Sequence, residues 1–305
     1  MRTSSSVRIA AAALIAPALF FTAACSSGGG TAEGGESTQS AAEVNTDAPL
    51  YDKLPEAVQQ AGELNAASYI GYPPFEYYDE DNETVIGLDR DLADAIEEQI
   101  GVPIVFNNVP FDSIVPGLAA KRYDLAMSAM SDTLERQKQV DFLDYFMNGE
   151  AILTTKENPK SITTITDLCG ITVGGVKGTT GAELTDTQSE ECVAEGKDAV
   201  DHTVFPGQNE AVLALQNGRV EAVVLGYSTG GYIAQTSNDA LAITPPFRMD
   251  GPFGIVFPKG SEQLMEAFTQ ALEQIRADGS YDEILAEYGQ SDAAIEKFVT
   301  NGSTH

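Results

Sequence analysis

Arg136 is the first side chain in this sequence whose setting suggests chemistry. It follows a strand-like run, Leu125 to Ala129, that ends among the hydroxyls of Ser128, Ser131 and Thr133. A helix is predicted to start over 132–139, with Asp132 or Thr133 as its cap and Glu135 in its first turn. Backbone N–H groups at a helix start favour an anion. A guanidinium beside them adds a planar fork that holds a carboxylate by two hydrogen bonds. A cation in a first helical turn opposes the helix dipole, so Arg136 points to an anionic ligand; the competing reading is a surface ion pair with Asp132, Glu135 or Asp141. A second motif, Gly226-Tyr227-Ser228-Thr229-Gly230, has the G-x-S-x-G spacing of a nucleophile elbow and follows an apolar strand. Its serine needs a histidine to take the proton. The chain offers His202, upstream, and His305, its last residue, so the motif reads as a small-residue turn. Two histidines and three cysteines also fall short of a multi-histidine or four-thiolate metal site. With no glycine-rich phosphate loop either, the expectation is no catalytic residue, no metal and no cofactor.

The elements that must position Arg136 alternate. A short helix is predicted over 55–62, a strand over 64–70, and a clear amphipathic helix over 89–100 on Leu92, Ala93, Ile96 and Ile100, stopped by Gly101. A strand over 102–109, a helix over 112–121 and a strand over 125–129 follow. A second block repeats the order: strand 171–176, a turn at Gly178-Thr179-Thr180-Gly181, helix 182–192, helix 209–217 and an apolar strand 220–225 of the buried, parallel type. The chain returns through a strand over 254–257 and a helix over 262–277 striped by Leu264, Phe268, Leu272 and Ile275, and Tyr281 to Tyr288 repeats that pattern. This is an α/β architecture, with ligands expected at the carboxyl ends of the strands.

Composition narrows the partners. The 305 residues carry 46 acids against 17 bases, a net charge of −29, so nucleic acid and anionic lipid surfaces are disfavoured. The first residues hold Arg2 and Arg8 and no acid, then an apolar run from Ile9 to Phe21, too short to span a bilayer. That is an export signal over 1–24. It closes on Thr22-Ala23-Ala24-Cys25, which resembles the lipobox of bacterial lipoproteins, where the cysteine is lipidated and becomes the new N-terminus; Thr22 stands where leucine is usual. The competing reading is a free cysteine beside an ordinary cleavage site. Residues 25–49 are rich in Ser, Gly, Thr and Glu and read as a flexible tether. Loss of the signal removes two arginines and leaves −31, so a covalent lipid would be the means of staying at the outer face of the cell membrane. Cys169 and Cys192 then form an even pair, read as a structural disulfide.

The run from Tyr123 to Phe142 resembles the signature of the family 3 extracellular solute-binding proteins, the polar amino-acid receptors of ABC importers. Four further segments agree in order: Tyr72-Pro73-Pro74-Phe75-Glu76, Gly87-Leu88-Asp89-Arg90-Asp91-Leu92, Phe111-Asp112-Ser113-Ile114-Val115-Pro116-Gly117-Leu118, and Gly178-Thr179-Thr180. The resemblance covers Leu50 to Gly289. It implies a two-lobed periplasmic-binding-protein-like clamp of type II, each lobe a mostly parallel sheet flanked by helices, with two hinge crossings. Lobe 1 would span 50–154 plus 251–300, lobe 2 155–250, and 301–305 would be a loose tail. Arg136 would bind the ligand α-carboxylate with Ser131, Thr133 and, across the cleft, Thr179 and Thr180. Tyr72 and Phe111 would sandwich the ligand side chain unless Phe111 is core. Asp89 would meet a cationic side chain or serve as a helix cap. Two departures stand out: Gly226 replaces the aspartate that usually receives the α-ammonium, and Tyr69 stands where many relatives carry an acid or small polar residue. Glu76, Asp89 or another acid would then substitute, or the amine would rest on Tyr69, Tyr72 and Phe111, or the ligand is not an ordinary α-amino acid. The function implied is a monomeric lipoprotein that delivers an amino acid to a membrane permease. The alternatives are a sensor for a signalling partner and a dehydratase-type enzyme on the same fold.

Overall fold

The computed structural model describes residues 44–304; the export signal, Cys25, most of the tether and His305 lie outside them. Chain order is α1 (Glu56–Ala61), β1 (Leu64–Ser68), the hairpin β2 (Tyr77–Tyr78) and β3 (Val85–Ile86), α2 (Leu88–Ile100), β4 (Ile104–Asn108), α3 (Ile114–Ala119), β5 (Leu125–Ser131), α4 (Leu134–Gln137) and β6 (Val140–Thr155). Then come β7 (Thr172–Val176), α5 (Thr180–Ala194), β8 (Asp201–Phe205), α6 (Gln208–Gln216), β9 (Ala222–Gly226), α7 (Tyr227–Thr236), β10 (Leu241–Ile243), β11 (Arg248–Pro258), α8 (Glu262–Ala277) and α9 (Ser280–Glu287).

The predicted stripes are the buried faces. Leu92, Ala93, Ile96 and Ile100 of α2 pack with Leu264, Phe268, Leu272 and Ile275 of α8 over β1 and β5, and all of these are buried. A second layer, with Ile114 and Leu118 of α3, covers the other sheet face. In the second lobe Leu215, Val223 and Leu225 form one core, and Ile152, Val173 and Val224 another on the opposite face. The α/β clamp is therefore built as expected: a mostly parallel sheet in each lobe with helices on both faces.

The strand order is β4-β1-β5-β11-β6-β9-β7-β8, with β10 added to β6. Strands β6 and β11 carry the chain between lobes. Val140 to Glu150 of β6 pair with β11, and Glu150 to Leu153 pair with β9, so Glu150 stands between Arg248 and Gly226 where the partners change. The first crossing thus lies at Asn148–Glu150, several residues before the expected Thr154; Ile152 and Leu153 already belong to the cores of lobe 2. The strand runs unbroken through the hinge, so no turn residue marks the boundary.

Four further expectations change. The tail is tied down: the Asn301 N–H donates to the Phe142 carbonyl, the Phe142 N–H donates to the Asn301 side-chain Oδ1, and the N–H groups of Gly302 and Ser303 donate to Asp144 and Asp132 at 3.1 and 3.0 Å. At the other end Asn45 and Leu50 already bond to Gly101 and Gln99 at the end of α2, so packing begins before residue 50. Gly226 ends β9 and residues 227–230 are the start of α7 rather than a turn, and the helix of Arg136 is a single turn, α4. Cys169 and Cys192 are bonded, with Cα atoms 5.6 Å apart, fastening the N-terminal side of β7 to the end of α5; closing a loop of that length is worth about 3 kcal/mol by chain entropy.

Candidate functional site

Arg136 reaches the cleft because Thr133 caps α4, its hydroxyl accepting from the Arg136 N–H at 3.3 Å. The side chain is buried. One terminal nitrogen donates to the Ser131 carbonyl at 2.7 Å and the other, across the cleft, to the Gly178 carbonyl at 2.9 Å; the guanidinium also lies 5.7 Å over the Phe111 ring. Among the described residues no carboxylate lies within ion-pair distance of it. Each acid that competes for it in the sequence is engaged elsewhere: Glu135 with Lys138, Asp141 with Lys259 and Asn301, and Asp132 with Gln137 and Ser303. Burial pulls its pKa down and distant acids pull it back. A buried guanidinium held only by carbonyls has unspent donors and an unbalanced charge.

Facing it is the start of α5. The Thr179 hydroxyl donates to the Val176 carbonyl at 2.8 Å and accepts from Ala182 N at 3.3 Å, capping the helix, while the buried Thr180 hydroxyl has no partner. Gly181 lets the helix lean on β9: a Cβ there would lie 2.5 Å from the Val224 carbonyl oxygen. The positive end of α5 therefore points into the cleft beside Arg136.

Between the lobes lies a narrow cavity whose walls include Tyr69, Tyr72, Phe111, Ser131, Arg136, Thr179 and Thr180. Seven of the ten ligand residues expected from sequence meet there. Thr133 lines an adjoining crevice with Ser131 and Thr180. The cleft is bridged by Arg136 to Gly178, by the Tyr69 hydroxyl accepting from Gln208 N at 3.1 Å, and by Lys177 to Asp112 at 2.9 Å.

Glu76 and Asp89 are placed elsewhere, and the expectation that Asp89 meets a ligand side chain is corrected. Both are fully buried behind the wall formed by β5. Asp89 accepts from the Tyr145 hydroxyl at 2.5 Å and from Ala129 N at 3.0 Å, and Glu76 from the Ser128 hydroxyl at 3.1 Å. The Ser128 hydroxyl in turn accepts from Tyr69 N at 2.9 Å. Ala129 is in the left-handed region, φ 41°, which is costly for a residue with a Cβ. Asp89 holds its N–H there, so the pair supports the cleft wall and does not line it. Asp89 is not a helix cap either: Gly87 holds that position at φ +122°, where a Cβ would meet the Phe75 carbonyl oxygen at 2.3 Å.

Sequence reasoning missed Glu150 and Gln208. Both are buried in the cavity wall, and Glu150 Oε2 and Gln208 Nε2 have no partner. Gln208 was hidden by its place at the very start of α6, and Glu150 by lying inside a featureless strand. Ser228 is buried in the first turn of α7, its N–H 3.5 Å from Asn148 Oδ1; His202 bonds instead to Asp186 at 2.6 Å. Among the described residues no group of three His, Cys, Asp or Glu is placed to hold a metal.

The model of the bacterial extracellular solute-binding proteins, family 3, matches residues 64–291. An arginine-binding protein of Corynebacterium glutamicum is 30% identical over 81% of this chain and 81% of its own. Among solved structures, an ancestral arginine-binding protein bound to arginine superposes with a TM-score of 0.68 at 34% identity, and one bound to glutamine with 0.67 at 35%, each over 75% of this chain and 98% of the other. The matched sequence and the superposed fold agree, and the chain belongs to the family 3 extracellular solute-binding proteins of bacteria.

Proposed function

We propose that this chain is the substrate-binding lipoprotein of an ABC importer, capturing a free amino acid between its lobes and presenting it to a permease as a monomer, without changing it chemically. The observation that carries the reading is Arg136: a buried guanidinium in the cleft, with no carboxylate of the described residues in ion-pair reach, beside the N-terminus of α5. An α-carboxylate placed there receives two charge-assisted bonds from Arg136 and further bonds from Thr180 and the helix start. Because Arg136 belongs to lobe 1 and α5 to lobe 2, one carboxylate contacts both, and its binding energy favours the closed state over the open one. The amino-acid ligands in the names of the relatives support the substrate class.

The test is a thermal melt followed by circular dichroism against each common amino acid. A cognate ligand at about a thousandfold excess over its Kd adds about 4 kcal/mol, which raises Tm by roughly 10 °C in a body of this size. If no amino acid at millimolar concentration shifts the melt, the reading fails. For the anchor, Cys25→Ala is expected to move the protein from the membrane fraction to the medium; wild-type protein found free in the medium would refute lipidation.

A further inference from the structure

Gly226 leaves the ligand's ammonium without its usual acid, yet the sheet supplies one directly opposite. Glu150 of β6 is the register partner of Gly226 of β9. Cross-strand partners project to the same face of an antiparallel pair, so a carboxylate rooted at 150 enters the space that a side chain at 226 would occupy. A side chain at 226 would crowd that space, its Cβ lying 2.8 Å from the Tyr72 hydroxyl and 3.0 Å from Asn148 Nδ2, so that both would have to move. Glu150 is 7% exposed, lines the cavity and keeps one carboxyl oxygen without a partner.

We infer that Glu150 is the α-ammonium acceptor, and that Arg136 and Glu150 together use up the charge of the cleft, so the ligand is an α-amino acid with an uncharged side chain. This rests on the amino-acid-binding reading and goes further than the relatives' names, since several of those are arginine-binding. Glu150 and Arg136 are the only charged residues in the cavity wall among the described residues. A zwitterionic head group takes both. What remains for the side chain is Tyr69, Phe111, Val176 and the amide of Gln208, a neutral compartment in which a guanidinium or ammonium would be buried unpaired. Burial raises the Glu150 carboxyl to about 7, against the pull of Arg136 and Arg248 and with the push of Glu183; the neighbouring Tyr72 phenol is also pushed up. An arriving ammonium therefore drives a proton off Glu150, a signature that packing alone would not give.

The experiment is calorimetry at pH 7 in two buffers of different ionisation enthalpy, with wild type and Glu150→Gln, the folding of the variant being checked by its melt. The probes are the uncharged amino acids, arginine, lysine, and for the best binder its analogue lacking the amine. Wild type should bind an uncharged amino acid at least about 100-fold more tightly than arginine or lysine and release about half a proton on doing so. E150Q should weaken that amino acid by at least about 100-fold, abolish the proton release and leave the amine-free analogue nearly unchanged. Equal affinity of E150Q and wild type for the amino acid removes Glu150 from the site, and a preference of wild type for arginine or lysine refutes the neutral compartment. Either result leaves amino-acid capture standing, whereas failure of wild type to bind any amino acid refutes the underlying reading itself.

Discussion

Replacing Arg136 with alanine is expected to weaken amino-acid binding by about a thousandfold while the ligand-free protein keeps its fold. The loss has two parts. The carboxylate forfeits a bidentate charge-assisted pair, and it is left in a closed cleft where water replaces those bonds poorly. Arg136→Lys should restore only part of the affinity, because an ammonium offers one point of charge where the guanidinium offers a fork. The fold should tolerate the change for the reason that makes Arg136 conspicuous: among the described residues it carries no ion pair, and its side-chain bonds are to carbonyls at the cleft rather than within a lobe's core. Its two carbonyl partners, Ser131 and Gly178, face the cleft, where solvent can reach them once the lobes part. The melting temperature of ligand-free Arg136→Ala should stay within about 3 °C of wild type, which corresponds to about 1 kcal/mol. Undiminished affinity by calorimetry would sink the site assignment. A collapse of the melt would make Arg136 a structural residue instead.

The parts of this protein that could be read in advance are those whose cause is local. The stripes of α2 and α8 and the apolar runs of β5 and β9 declare themselves by period and composition. Arg136 and the Gly178–Thr180 turn, which meet across the cleft, are similar, because a capped helix start has a short signature. What stayed hidden depends on partners far along the chain. Strand β6 crosses the hinge without a breaker, so only its change of partner from β11 to β9 marks the lobe boundary. The tail looked loose because Asn301, Gly302 and Ser303 are polar, and their bonds to Phe142, Asp144 and Asp132 have no trace in local sequence. Glu150 gains its meaning only from standing opposite Gly226. Asp89 misled in the opposite way: it has the spacing of a helix entry, yet its carboxylate turns inward to hold Ala129.

That inward turn makes a second large effect testable, the stability of the protein against pH. Glu76 and Asp89 are fully buried carboxyls in one network, and burial is the largest cause raising both: Asp89 to about 6 from 3.8, Glu76 well above 4.5, the latter pushed further by the charge of Asp89. One proton settles the pair. Glu76 Oε2 has no partner while both groups are ionised; protonated, it donates to Asp89, which then accepts from Glu76, Tyr145 and Ala129. The sign follows from linkage. As pH rises above 4.5 the unfolded chain gives up the Glu76 proton while the folded protein keeps it, so stability falls by about 1.4 kcal/mol per pH unit per such group until the folded value is passed. Asp89 adds the same loss up to about pH 6, and Asp144 and Glu150, each raised to about 7, extend it. The protein should therefore be most stable near pH 4, about the ordinary carboxyl values of these groups, and lose stability steadily from there toward pH 8. Glu76→Gln keeps the shape, the acceptor for Ser128 and a donor for Asp89, but cannot ionise. Urea denaturation at pH 5, 6, 7 and 8 should show this variant close to wild type at pH 5 and increasingly more stable above it, the gap widening by about one proton's worth of slope. A parallel pair of curves would mean that Glu76 is already ionised in the folded protein, and the shared proton would be lost from the account of how the cleft wall at Ala129 is held.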